Sequence, residues 1–120
     1  MTTHRARRVA EAIRGVLVAA VREVRDPRVG FVTLTEVELS PDLKQARVYV
    51  STLGDAASRE AAVEALNHAV GFLRHAVATR AALKYTPSLR FVPDPTLERG
   101  SRVEALIQEI HADEEPGTGE

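Results

Sequence analysis

Two runs rich in β-branched residues, 31–39 (FVTLTEVEL) and 44–52 (KQARVYVST), are joined by a connection centred on Ser40-Pro41-Asp42. A link that short cannot carry a crossover, so the runs are expected to pair as an antiparallel hairpin. In the second run Ala46, Val48 and Val50 face one way and Arg47, Tyr49 and Ser51 the other. The first run alternates only in part. A hairpin with one apolar face must be covered, and the segments on either side read as helices.

Residues 3–25 are predicted helical, because Val9, Ile13, Leu17, Ala20 and Val24 recur at spacings of three and four. Asp26-Pro27 ends that helix, since the residue before a proline is pushed out of the helical region, and Gly30 adds a turn signal. After a loop at 54–58, with Ser58 as the expected N-cap, Ala62, Leu66, Ala69, Val70, Leu73 and Val77 form a second stripe. Arg80 and Lys84 would fall on the same stripe of a straight helix. Burying unpaired charge is costly, so a bend or break is expected between Val77 and Leu83, where Ala78, Ala81 and Ala82 permit a kink. A second helical piece is then expected to run to Thr86-Pro87.

Residues 88–92 (SLRFV) read as a third strand and 93–100 as a loop with Pro93, Pro95 and Gly100. Ser101 to Glu104 has capping-box spacing, opening a short amphipathic helix on Val103, Leu106, Ile107 and Ile110. Residues 112–120 (ADEEPGTGE) are acidic and nearly devoid of apolar side chains, the signature of a disordered tail. Helices mixed with an antiparallel hairpin indicate one two-layer α+β domain over 1–111, with the tail at 112–120.

Aromatic residues are only 4% of the chain, so aliphatic side chains must fill the core and Tyr49, Tyr85 and Phe91 are expected in it or at its boundary. Cysteine is absent, which removes disulfides, thiolate metal sites and a cysteine nucleophile. No GxxxxGK, GxGxxG or GxSxG motif occurs. His68 and His75 lack a third convergent ligand, and Asp42, Asp94 and Glu98 form an acid–base set only if folding gathers them. The basic N-terminus is followed by no uninterrupted apolar run, and no stretch is long enough to span a bilayer, so a cytoplasmic protein is expected.

Charge is unevenly placed. Residues 1–31 carry seven arginines against three acids, 71–93 carry four bases and no acid, and 94–120 carry eight acids against two arginines. Two basic segments and an acidic terminus suit a polyanionic partner. On the first helix Arg7, Arg14 and Arg25 share nearly one face with Arg22 close by, either as a row along a phosphate backbone or as a solvated face paired with Glu11. Arg74, Arg80, Lys84 and Arg90 form the second cluster, unless distant acids such as Glu36 or Glu38 neutralise them.

A set of short motifs runs through this pattern: Arg8-Val9, Asp26-Pro27-Arg28-Val29, Val32 to Val37, Ser40-Pro41-Asp42-Leu43, Ala46 to Ser51, Gly71-Phe72-Leu73-Arg74, Pro87 to Phe91, and Asp94 to Gly100. In order and spacing, over roughly residues 5–107, the chain resembles the ribosome-binding factor A family. The resemblance implies a single KH-like domain of type II, in the order α-β-β-α-kink-α-β, with a three-stranded sheet, a short C-terminal helix and the acidic tail. It implies a helix–kink–helix in place of the GXXG loop of KH domains. It also implies a monomeric, non-catalytic factor without cofactor, metal, membrane or small-molecule substrate. Its partners would be 16S rRNA and the free or precursor small (30S) ribosomal subunit, whose late maturation and 5′-end processing it assists, with importance for growth in the cold. Charge and position together single out Arg7, Arg8, Arg28, Arg74, Arg80 and Lys84 as RNA-contacting candidates. An adaptor acting on a protein partner through the helix 101–110 and the tail is the alternative.

Overall fold

The structure, a computed structural model, describes residues 4–95. The expected helix at 101–110 and the tail at 112–120 lie outside the described residues. Helix α1 spans His4–Ala20, and a 3₁₀ turn over Val21–Glu23 follows it. Strand β1 is Val32–Leu39 and β2 is Gln45–Thr52. Helices α2 (Ala56–His68) and α3 (Val70–Arg80) precede strand β3 (Ser88–Pro93).

The first helix is shorter than the predicted 3–25. Its end tightens into the 3₁₀ turn, where three residues per turn put Val21 and Val24 on one face. Val21 is buried and Val24 packs against the core, so the tightening keeps the apolar stripe turned inward up to the Asp26-Pro27 exit. Ile13, Leu17 and Ala20 are fully buried, as their spacing requires.

The hairpin forms antiparallel as expected, but β1 carries a bulge. Leu34 pairs with Val50 and Glu36 with Tyr49, leaving Thr35 without a partner. The extra residue lets Leu34 and Val37, three apart, both face the core, which explains the partial alternation of this run. Phe31, predicted to open the strand, precedes it and is 88% exposed. In β2, Ala46, Val48 and Val50 are buried. Strand β2 is central, antiparallel to β1 and parallel to β3. A parallel partner needs a crossover, and α2 with α3 supplies it.

The kink between these helices lies at Ala69, earlier than the predicted interval between Val77 and Leu83. There the chain leaves the helical conformation only briefly, with ψ of 14°, and the Ala69 N–H is shared by the Ala65 and Leu66 carbonyls, both at 3.1 Å. The stripe logic missed it because Leu66 and Leu73, on either side of the kink, are both fully buried. Within the predicted interval α3 ends instead: Ala81 caps it and Ala82 turns to a positive φ of 55°. No helical piece follows over 81–87, so the cations at Arg80 and Lys84 mark a helix end rather than a kink. The N-cap of α2 is Asp55, not Ser58; its carboxylate accepts the Ser58 N–H at 2.9 Å.

All three helices pack on one face of the sheet around Phe91, Ile13, Leu17, Leu66, Leu73 and Val48, each fully buried. Strand β3 pairs through its backbone with β2 alone, and Asn67 of α2 supplies a further partner. Its amide nitrogen donates to the Phe91 carbonyl and its oxygen accepts the Phe91 N–H, both at 2.9 Å. Removing this side chain strands both backbone groups in a partly buried place. Asn67→Ala is therefore expected to destabilise the fold by about 1–3 kcal/mol in urea unfolding, and Asn67→Asp, which sets a carboxylate oxygen against the Phe91 carbonyl, by at least as much. Equal stability of Asn67→Ala and the parent would refute the anchoring role.

Candidate nucleic-acid interface

Of the six RNA-contacting candidates, three guanidinium groups are engaged within the fold. Arg74 donates from Nε to the Pro87 carbonyl at 3.2 Å and from a terminal nitrogen to the Thr86 carbonyl at 2.8 Å. It thereby clamps the segment entering β3 against α3. Arg80 makes a two-pronged pair with Glu23 at 3.0 and 3.2 Å, tying the end of α3 to the 3₁₀ turn. The arginine holds the Glu23 carboxyl below its ordinary pKa, chiefly through that hydrogen bond. The neutralising acid is thus Glu23; Glu38 instead pairs with Arg47 at 3.5 Å and accepts the Tyr49 hydroxyl at 2.8 Å on the open sheet face.

Arg28 is engaged most fully. Its Nε and one terminal nitrogen donate to the two Asp26 oxygens at 3.1 and 2.8 Å, and its backbone N–H donates to Oδ1 at 3.0 Å. The other terminal nitrogen reaches Glu64 at 3.4 Å, and His68 Nδ1 lies 3.4 Å from the nitrogen that binds Asp26. Asp26 thus closes an Asx turn through Pro27 and binds the fork of its own neighbour. The His68–His75 pair considered as metal ligands is divided by the kink, and His68 turns toward Arg28.

Arg7 and Arg8 are exposed on α1 and form no ion pair among the described residues. Arg7 lines a shallow groove with Glu11, Arg14 and the bulged stretch of β1. Arg14, read as part of a phosphate-facing row, donates to the Leu34 carbonyl at 3.2 Å beside the bulge, so it fastens helix to sheet. Lys84 is exposed, its ammonium 5.7 Å from the centre of the Tyr85 ring. Tyr85 is not in the core as expected but 72% exposed, whereas Phe91 is buried.

Folding also gathers residues that no local pattern marks. A cleft of about 680 Å³ lies where the start of α1, the β1–β2 turn and the segment 83–86 meet, and Arg5, Lys44, Lys84 and Tyr85 line it. The cations are some forty residues apart along the chain, so only the topology brings them together.

This is an α+β domain in the order α-β-β-α-kink-α-β, with helices on one side of a three-stranded sheet: a KH-like, RNA-binding fold in which a kinked helix pair stands in for the GXXG loop. The family model for ribosome-binding factor A matches residues 5–107. The ribosome-binding factor A of Halorhodospira halophila is 50% identical over 117 residues, 93% of either chain. The crystal structure of ribosome-binding factor A from Thermus thermophilus superposes with a TM-score of 0.64 at 30% identity, covering 70% of this chain and 89% of that one. A homology model of the Thermus thermophilus factor, fitted into a cryo-electron-microscopy map of its complex with the 30S subunit, gives 0.61 at 29% identity and covers 72% and 91%. The chain belongs to the ribosome-binding factor A family.

The Asp26–Arg28 turn makes a prediction about acid stability. Hydrogen bonds from Arg28 hold the Asp26 carboxyl at about 2, below its ordinary 3.8. A depressed carboxyl contributes stability that is present above the unfolded value and lost as pH falls through the folded one. Asp26→Asn, which preserves an acceptor for the turn, should therefore lose less stability between pH 4 and pH 2 than the parent in denaturant titrations. Identical pH slopes would show that the pair does not couple to folding.

Proposed function

We propose that this protein is a non-catalytic assembly factor that binds the free or precursor 30S subunit in the cytoplasm and assists late maturation and 5′-end processing of 16S rRNA. The observation that carries the reading is the fold it shares with a factor fitted into a 30S complex. The exposed Arg7, Arg8 and Lys84 suit binding to a phosphate backbone. No helix among the described residues is long and apolar enough to cross a membrane.

The contacts divide into two kinds. Arg7, Arg8 and Lys84 present charge outward and would meet phosphates directly. Arg28, Arg74 and Arg80, already bound to Asp26, to backbone carbonyls and to Glu23, would act by holding the platform in shape. Specificity would come from the form of a folded rRNA site, since few exposed side chains suit base-edge readout.

Sedimentation of the purified protein with 30S subunits, 50S subunits and assembled ribosomes tests this. The expected result is association with free 30S subunits alone, weakening as salt rises. Arg7→Ala with Arg8→Ala should lower affinity and flatten the salt dependence, because a protein that neutralises fewer phosphates releases fewer counterions on binding. Association with none of the particles, or equal association with all three, would overturn the reading.

A further inference from the structure

The chain contains fourteen arginines but only two lysines, Lys44 and Lys84, and both line the cleft that also holds Arg5 and Tyr85. We infer that this cleft is a site for one unpaired RNA nucleotide, its base stacked on Tyr85 and its flanking phosphates held by Arg5, Lys44 and Lys84. The inference deepens the rRNA-binding reading and rests on it.

Four observations support it. Tyr85 is 72% exposed in a protein with only five aromatic residues, which leaves a ring face open for stacking. The Lys84 ammonium stands over that ring, so a positive charge lies within reach of a phosphate next to a stacked base. Neither Arg5 nor Lys44 makes a side-chain ion pair with a described residue. The acid in the cleft is Asp42, whose Oδ1 accepts the Ser40 hydroxyl at 2.7 Å and the Lys44 N–H at 3.0 Å. Three cations against one hydrogen-bonded carboxylate leave the cleft net positive; the two lysines suit phosphate as flexible point charges, and Arg5 offers a planar fork.

The backbone gives an independent sign. Among the described residues, two that are not glycine have positive φ: Leu43 at 61° and Ala82 at 55°. Leu43 lines the cleft, and Ala82 immediately precedes Leu83, which lines it too. The left-handed region is costly for residues with a Cβ, and such strain gathers at ligand sites. Here it turns the hairpin tip and the end of α3 so that Lys44 and Lys84 share one opening. The site lies at the opposite end of α3 from the kink at Ala69, so it is separate from the element that replaces the GXXG loop.

The test uses the full chain and two fluorescently labelled probes: a five-nucleotide adenylate RNA and an abasic sugar-phosphate pentamer of the same length. Tyr85→Ala should weaken RNA binding by about 5- to 150-fold, the range for loss of one stacked base, while leaving abasic binding unchanged. Tyr85→Phe, which keeps the ring, should bind RNA like the parent. Lys44→Ala and Lys84→Ala should weaken both probes and each reduce the salt slope by about 0.7. In a Tyr49→Phe background the remaining tyrosine emission should be quenched by the RNA and not by the abasic pentamer. Unchanged RNA affinity in Tyr85→Ala, with an unaltered circular dichroism spectrum, would overturn the site; so would displacement of the RNA by an equal concentration of pentaglutamate. The two readings separate cleanly. Tyr85-dependent RNA binding in a protein that ignores 30S subunits would keep the cleft and remove the ribosomal role. Salt-sensitive 30S binding with Tyr85-independent RNA affinity would do the reverse.

Discussion

A strand that joins a sheet in parallel after a helical crossover cannot be placed by a turn, and β3 is held by side chains instead. Asn67 satisfies the Phe91 N–H and C=O, and Arg74 binds the Thr86 and Pro87 carbonyls just before the strand begins. Between them these two residues set the register in which Val48 meets Phe91, and so the packing of the sole described aromatic that is fully buried. With Phe91 set, the aliphatic faces of α1, α2 and α3 have a fixed surface to close on. The same Arg74 clamp positions the short segment that carries Lys84 and Tyr85, so the anchoring of the core and the presentation of the surface share one interaction.

Much of this architecture is legible in the sequence because it depends on periods. The hairpin follows from a short turn between two β-branched runs, and the buried face of β2 follows from alternation at Ala46, Val48 and Val50. The buried face of α1 follows from the recurrence of Ile13, Leu17 and Ala20. What periods do not report is a local change that leaves the buried face in place. The kink at Ala69 is such a change, since Leu66 and Leu73 stay fully buried across it. The cations at Arg80 and Lys84 carry real information, but about where burial ends, and α3 stops at Arg80. The bulge at Thr35 lies between these cases: it shows as faulty alternation, yet its position emerges only when Leu34 and Val37 are both seen to face inward.

The charged surface is less legible, for a different reason. A guanidinium reads identically in sequence whether it faces solvent or is bound within the fold. Arg80 meets Glu23 across 57 positions, and Arg28 meets Glu64 across 36. No pattern local to either residue announces such a pairing. Arg14 shows the same thing within the row on α1, because its partner is a carbonyl beside a bulge that the helix sequence does not encode. Arg28 is the exception: Asp26-Pro27-Arg28 is a local motif, and its Asx geometry already implies that the acid turns back on its own neighbour.

The division between arginine and lysine then acquires a physical sense. Arg14, Arg28, Arg74 and Arg80 bind two-pronged or planar acceptors, where a rigid fork loses little entropy for each bond it makes. Lysine has no fork to match such acceptors; its advantage is a long stem and a head that can follow a mobile anion. Scaffold contacts therefore favour the one and a ligand-facing opening favours the other, and both lysines of this chain line the same cleft. The strained turns at Leu43 and Ala82 fit this division. Neither side chain belongs to the buried cluster of the core. The turns bring the hairpin tip and the end of α3 to a common rim, and Arg74, bound to the Thr86 and Pro87 carbonyls, fastens the segment on one side of it.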